Sequence, residues 1–431
     1  MPQRPARNAA WKRWRRREAR LRSHQHKPHT NTTFPNLQET ARPALWQRGT
    51  TEMKKILRDL GPVYVVGVGW HRYQRGSETP YVTLGLQAIR CALNDAGIGF
   101  ENVDSTYVGT ALLGMAPGRA MLRHLGSSNH PLVHIENASA SGSAAFRHAC
   151  IEVGAGMAEV SLVVGVDKPK SPWQRASTGI PSLAEDAVAP FTHFALLTNA
   201  YAHAHNVSAE DVAQVAVKNH ANGALNPNAH RRQPRTLEEI LDGKRVSGTL
   251  TALQCCPVGE GAAAVLVASE SAIKRLRIAG SKPVRVTASA SSVEMAGQGG
   301  ADAAITGDTV ADALAQSSRA PIDVDVLELH DAFTIEELQY VEAMGICKPG
   351  EAIHLLREGA FNIGGQVAVS PSGGLIAMGH PLGPTGVGQI GELALQLRHD
   401  AGARQQPDAR TGLAHMVGIG AVCYVHMLER P

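Results

Sequence analysis

The chain has 431 residues, 43% of them hydrophobic, with 43 glycines, few aromatic residues and a formal net charge of +4. That length buries a large core in one large or two medium domains, and no apolar run reaches the roughly 18–20 residues of a membrane-spanning helix. The charge is misleading: residues 1–52 hold 12 Lys/Arg against 3 Asp/Glu, which leaves 30 basic and 35 acidic residues elsewhere, a body of about −5, so the basic balance is no argument for nucleic-acid binding.

The basic leader 1–52 reads as a disordered arm, a transit segment or an over-extended start ahead of Met53, and it is set apart from the fold. From 63 the texture changes. Residues 63–68 (VYVVGV) predict a buried strand. Pro80 opens a helix with Val82, Leu86, Ile89 and Leu93 on one face, closed by Gly97. Residues 105–111 predict a second strand, 141–154 a helix and 160–166 another buried strand. Strand–helix–strand alternation of this kind implies parallel sheet with crossover helices.

Residues of about 168–248 break the rhythm with six prolines and read as a long loop excursion over an active-site mouth, with helix only near 208–219. A second α/β half follows, with strands at 261–268, 284–290 and 324–329, a helix at 386–397 and a terminal strand pair over 417–427. The expected division is an N-terminal half over 53–280 and a C-terminal half over 281–431. The six cysteines form no CxxC pair and no zinc-like cluster with histidine. Most read as small core residues of a soluble, cytoplasmic protein in a reducing compartment.

Three segments carry the chemistry: ENASASGSAAF at 136–146, ELHDAFTIEEL at 328–338 and SPSGGLIAMGHPLGPTG at 370–386. In the first, Ser139 lies at a turn of small residues entering a helix, where free N–H groups stabilise an anion. It reads as a helix cap, a nucleophile or a polar binding group. In the second, His330 leaves a strand end, and Thr334 with Glu337 predicts a capping box for the next helix. Asp331 reads as the residue that holds that turn. In the third, His380 sits between Gly379 and Pro381 in a tightly folding glycine-rich loop.

These segments, with KNHANGALNP at 218–227 and GEGAAAVLV at 259–267, resemble the thiolase superfamily, and within it the sterol-carrier-protein type. The resemblance covers about residue 63 to the end and implies an α/β thiolase fold of two similar halves in five layers, with a long loop insertion. In the family a nucleophilic Cys stands where this chain has Ser139, and an acid/base Cys where it has Ala332. Both family histidines, His330 and His380, are present. The resemblance implies that His380 activates the nucleophile and, with His330, binds the thioester oxygen. It places His220, Asn226, Gly142 and Gly379 at the substrate. Ser370 replaces a usual Asn, Glu260 a usual Asp and Pro384 a usual Ala, and Met416 aligns with the C-terminal Cys of other branches. Cys423 is a candidate replacement acid/base, and His380, Tyr201 and Tyr424 are candidate bases for the β-hydroxyl.

Coenzyme A is then a moiety of the substrate, with no fixed cofactor and no metal. A frame that keeps the thioester-binding histidines without sulfur suits retro-aldol cleavage of a bulky β-hydroxyacyl-CoA, as in aldolases of steroid side-chain catabolism that resemble these thiolases and work with a small zinc-binding OB-fold partner. Two alternatives remain open: an acyltransferase using Ser139 in place of Cys, and a non-catalytic acyl-CoA-binding subunit. The family implies a homodimer.

Overall fold

The computed structural model describes residues 55–126, 129–169, 188–278, 282–294, 302–419 and 422–431. The basic leader and Met53 lie outside the described residues, as do Pro172 and Pro181 of the excursion.

Among the described residues, ten strands make the main sheet: β1 (Val63–Gln74), β2 (Ser105–Gly109), β3 (Leu132–Ile135), β4 (Val160–Asp167), β5 (Glu260–Ser269), β6 (Val284–Val293), β7 (Val326–Glu328), β8 (Ala368–Val369), β9 (Thr411–Gly418) and β10 (Val422–Glu429). Their spatial order is β8-β7-β9-β10-β6-β1-β5-β4-β2-β3. The order contains a repeat. In the first half β2 is parallel to β3 and β4, while β4 and β1 both run antiparallel to β5. In the second, β7 is parallel to β8 and β9, while β9 and β6 run antiparallel to β10. Adding five to each strand number converts one half into the other. The halves meet where β1 pairs with β6 over Val63–Val65.

The helices complete the layers. They include α1 (Tyr81–Ala96), α2 (Ser141–Gly154), α3 (Pro190–His205), α4 (Ala209–Ala224), α5 (Asp302–Ser317), α6 (Thr334–Ala343), α7 (Gly374–Met378) and α8 (Gly383–Arg398). Helices α2 and α8 pack on each other and touch strands of both halves, α1 covers β1 and β5, and α5 covers β6 and β10. The sequence explains α1 directly: its apolar face is Leu86, Ile89 and Leu93, and Gly97 ends it in the left-handed conformation at φ 70°. Central α8, which touches strands of both halves, is buried nearly all round.

The excursion differs from its expected form. Where a loop was expected between β4 and β5, the chain forms α3, α4, a short helix at Leu237–Leu241 and a small hairpin. Helix α4 is capped at Ser208 with Asp211 as its reciprocal partner and runs on to Ala224, past the 208–219 expected. It packs on α6 and α7, the elements that follow and precede the two histidines. The insertion therefore buttresses the site.

Candidate active site

The chain leaves β3 into a turn held by its own side chains. Asn137 N–H donates to Ser141 Oγ at 2.9 Å, and Ser141 Oγ donates to the Ala138 carbonyl at 2.6 Å. Ala138 takes φ 49°, a left-handed conformation that is strained for alanine and that throws Ser139 out of line with the coming helix. The cap of α2 is Ala140, with no side-chain hydrogen bond, so Ser139 is not the helix cap. Its Oγ lies 2.9 Å from His380 Nε2.

His380 is fixed from three directions. Its N–H donates to the Pro257 carbonyl at 3.1 Å, and its Nδ1 lies 2.9 Å from Thr385 Oγ1. Beyond Leu382, another left-handed residue at φ 58°, the Gly383 N–H donates to Asp167 Oδ2 at 2.8 Å. Asp167 also takes the Thr110 hydroxyl and the Ala111 and Leu112 N–H groups, so this carboxylate ties the end of β2 to the histidine loop. Burial, and then the charge of His330, hold the His380 pKa well below its ordinary value. It is a neutral imidazole at physiological pH.

His330 stands just past β7. Its Nδ1 is 3.1 Å from Glu336 Oε1, a carboxylate that also accepts the Phe333 N–H at 2.8 Å and the Tyr340 hydroxyl at 3.0 Å. An imidazole that donates from Nδ1 to a carboxylate presents Nε2 as a base. Among the described residues, His330 Nε2 is buried without a hydrogen-bond partner. The rings of His330 and His380 meet edge to face, 5.4 Å between centroids and 87° between planes. Behind them, the His330 N–H approaches His415 Nδ1 at 3.4 Å, and His415 Nε2 meets Thr306 at 2.9 Å.

The start of α6 is one residue out from its expected register: Phe333, which has no side-chain acceptor, is the N-cap residue and its N–H donates to Glu336, in place of the capping box expected of Thr334 and Glu337. Glu337 instead pairs with Lys218 at 3.2 Å and accepts from Asn219. Asp331 holds its turn as expected, accepting Leu375 N–H at 2.7 Å and Asn219 Nδ2 at 2.6 Å. Burial, and then the nearby Glu337, push its pKa well up.

The structure brings Ser139, His330 and His380 together, and the residues expected at the substrate make the following contacts within the protein. His220 is buried, with Nε2 on the Leu253 carbonyl, and Asn226 donates to the Ser372 carbonyl. Gly142 is a packing point, where a Cβ would stand 2.2 Å from the Gly383 carbonyl. Gly379, at φ 102°, would press a Cβ against His230. Ser370 also takes a positive φ, and Glu260 is a structural partner of Lys168 at 2.5 Å. Tyr201 donates to Glu342, and Tyr424 accepts from Asn137. Cys423 is packed in the apolar core, its thiol pushed up to about 12 by burial. Met416 and Tyr424 pack against Ala140 and Ala144 at the start of α2.

Glu336 and Thr385, the two groups that orient the histidines, were not singled out in the sequence. Each follows its histidine at short range, by six and five residues. A carboxylate in the first turn after H-D-x-F was a usable signal.

The Thiolase, N-terminal domain family matches residues 71–234, and the Thiolase C-terminal domain-like family matches 288–429. The chain belongs to the thiolase family. Benzoylsuccinyl-CoA thiolase subunit BbsB of Thauera aromatica is 34% identical to it over 83% of this chain and 95% of that protein. Sterol carrier protein 2 of Homo sapiens is 33% identical over 85% and 72%. Among solved structures, this thiolase-family chain superposes on an Ltp2-ChsH2(DUF35) aldolase with a TM-score of 0.75 at 22% identity, covering 86% of this chain and 98% of that one. Human mitochondrial 3-ketoacyl-CoA thiolase gives 0.65 at 19% identity, covering 87% and 100%. These likenesses bear out the resemblance and the fold expected from the sequence.

Proposed function

We propose that this thiolase-family chain cleaves the Cα–Cβ bond beside a CoA thioester by retro-aldol chemistry, acting on a bulky β-hydroxyacyl-CoA. The observation that carries the reading is the buried Nε2 of His330, unpartnered among the described residues, backed by Glu336 and packed edge to face on His380, with alanine and no thiol at position 332. In this reading His330 Nε2 takes the proton of the β-hydroxyl. The oxygen's electrons form the new carbonyl, the Cα–Cβ bond breaks, and its electron pair becomes the thioester enolate. A proton returned to Cα then releases a shortened acyl-CoA and an aldehyde or ketone. Neutral His380 serves the enolate oxygen through Nε2–H, a donor aimed at charge as it develops.

One observation favours a second reading. The 2.9 Å contact between Ser139 Oγ and His380 Nε2 has the geometry of a base-activated hydroxyl, which suits acyl transfer through an oxyester. The tautomers of His380 separate the readings: a proton on Nδ1 makes Nε2 a base for Ser139, and a proton on Nε2 makes it a donor. The test is Ser139→Ala. Retro-aldol cleavage keeps kcat/KM within about tenfold, whereas a serine acyltransferase loses about 10²–10⁴-fold or more.

The same reading includes assembly. One relative is named as a subunit, and the aldolase is named for two components. We therefore propose that the chain forms a homodimer and works with a second, small OB-fold-type protein.

A further inference from the structure

On the Nδ1 side of His380, Thr385 begins a face of α8 that continues through Gln389 and Glu392, one and two turns on. That face, with Trp70 and Tyr73 of β1 and Glu328 at the end of β7, lines an internal cavity of about 20 Å³. The size suits a single water. Two buried polar atoms there have no protein partner, the Trp70 Nε1 donor and the Gln389 Oε1 acceptor. A buried polar atom left unsatisfied is costly, and a water held by both would satisfy each of them. The indole N–H, a donor only, argues against a cation as the occupant.

Glu328 is the titratable wall of this cavity. Its two oxygens accept the Ser372 N–H at 2.9 Å and the Ser372 hydroxyl at 2.7 Å. The charged groups around it are Glu392, which is clamped by Arg404 at 2.9 and 3.0 Å, together with Lys218 and Asp331. Tyr73 also faces it, its hydroxyl spent on the Pro384 carbonyl. Burial, and then the Glu392 charge, push Glu328 up to about 8, with Lys218 opposing.

We propose that a water in this cavity joins Glu328 to Thr385, and that the charge state of Glu328 decides which ring nitrogen of His380 carries the proton. With Glu328 protonated, its hydroxyl and Trp70 Nε1–H donate to the water. The water donates to Gln389 Oε1 and Thr385 Oγ1, Thr385 donates to His380 Nδ1, and the ring proton sits on Nε2. When Nε2 gives that proton to the site, each proton in the chain moves one place: Glu328 to water, water to Thr385, Thr385 to Nδ1. The end state is an ionised Glu328 and a neutral His380 with its proton on Nδ1. Every donor along the chain finds an acceptor in both states, and the single proton lost is the one delivered from Nε2. Glu328 and Thr385 are thus positioning residues that let a buried imidazole act as an acid without passing through its cation. The use made of the delivered proton, on the enolate, rests on the proposed function.

The test is ¹⁵N NMR of the full chain with labelled histidine, the His380 signals being assigned by their loss in His380→Gln. In the wild type the Nε2–H form gives way to the Nδ1–H form between about pH 6 and about pH 10, without an imidazolium stage. Glu328→Gln holds the Nε2–H form throughout, Thr385→Val abolishes the pH dependence, and Thr385→Ser restores it. A wild-type tautomer that does not change over that range overturns the proposal, as does an unchanged transition in Glu328→Gln. If Glu328→Gln fails to fold, Thr385→Val decides alone, since it cuts the chain on the other side of the water. The signal needs no substrate, so it separates from the reaction class: a tautomer change together with a Ser139 acyl adduct keeps the relay and removes the aldol reading.

Discussion

At the scale of single residues, the site consists of two histidines with different second partners. His330 is backed by a carboxylate and His380 by a hydroxyl, and in the proposed reaction this asymmetry divides the work into a base and a neutral donor. Glu336→Gln keeps the shape of the capping carboxylate and removes the charge that stabilises a protonated His330. It is expected to lower kcat on the order of 10²-fold with KM little changed, measured by steady-state kinetics beside the melting temperature. The histidines were legible in the sequence because short glycine, proline and strand-end patterns frame them. Their partners were not. The capping register at Phe333 is a matter of one residue, and only the backbone course decides whether Glu336 or Glu337 turns back. The packing role of Gly142 was not legible for a related reason, since a glycine wanted for ligand approach and one wanted for helix approach look alike in one dimension.

At the scale of elements, that glycine sets the distance on which the dyad depends. Helices α2 and α8 approach until the Gly142 Cα faces the Gly383 carbonyl, and this brings the turn carrying Ser139 to the loop carrying His380. Gly142→Ala inserts a methyl where 2.2 Å is available. The overpacking is expected to cost about 1–3 kcal/mol and to lower activity further by parting the two loops. A denaturant midpoint together with kcat reads both effects. Most strands and helices of the layered body were legible from apolar runs and periodicity, but β3, β8 and α5 were not expected. Helix α3 was not, because PFTHFALLTNAYAHAH is apolar without a clean stripe and stands among prolines that read as loop. Its partner α4 was seen only in part, since small residues end its apolar pattern before its helix ends.

At the scale of the whole molecule, the repeated strand order explains why two histidines from distant segments converge: His330 leaves a strand of the second half, and His380 enters the helix shared by both. The same burial makes stability depend on pH from two sides. Burial lowers His220 to about 4 and His415 and His426 to about 3, from 6.5. Their contribution is full above 6.5 and is lost as pH falls toward those values. Glu328, raised from 4.5 to about 8, contributes stability that is present below 4.5 and is lost as pH rises through 8. The melting temperature should therefore fall on both sides, and Glu328→Gln should flatten the alkaline limb in a pH series of thermal melts. The repeat itself leaves no trace in the sequence, because matched topology needs only matched apolar patterns. The central claim concerns the fate of the Cα–Cβ bond, and the direct measurement is mass spectrometry of the intact protein and its small products after incubation with β-hydroxyacyl-CoAs. Free shortened acyl-CoA with an aldehyde or ketone, and an unmodified protein mass, is the expected result. An acyl mass mapping to Ser139 would contradict it.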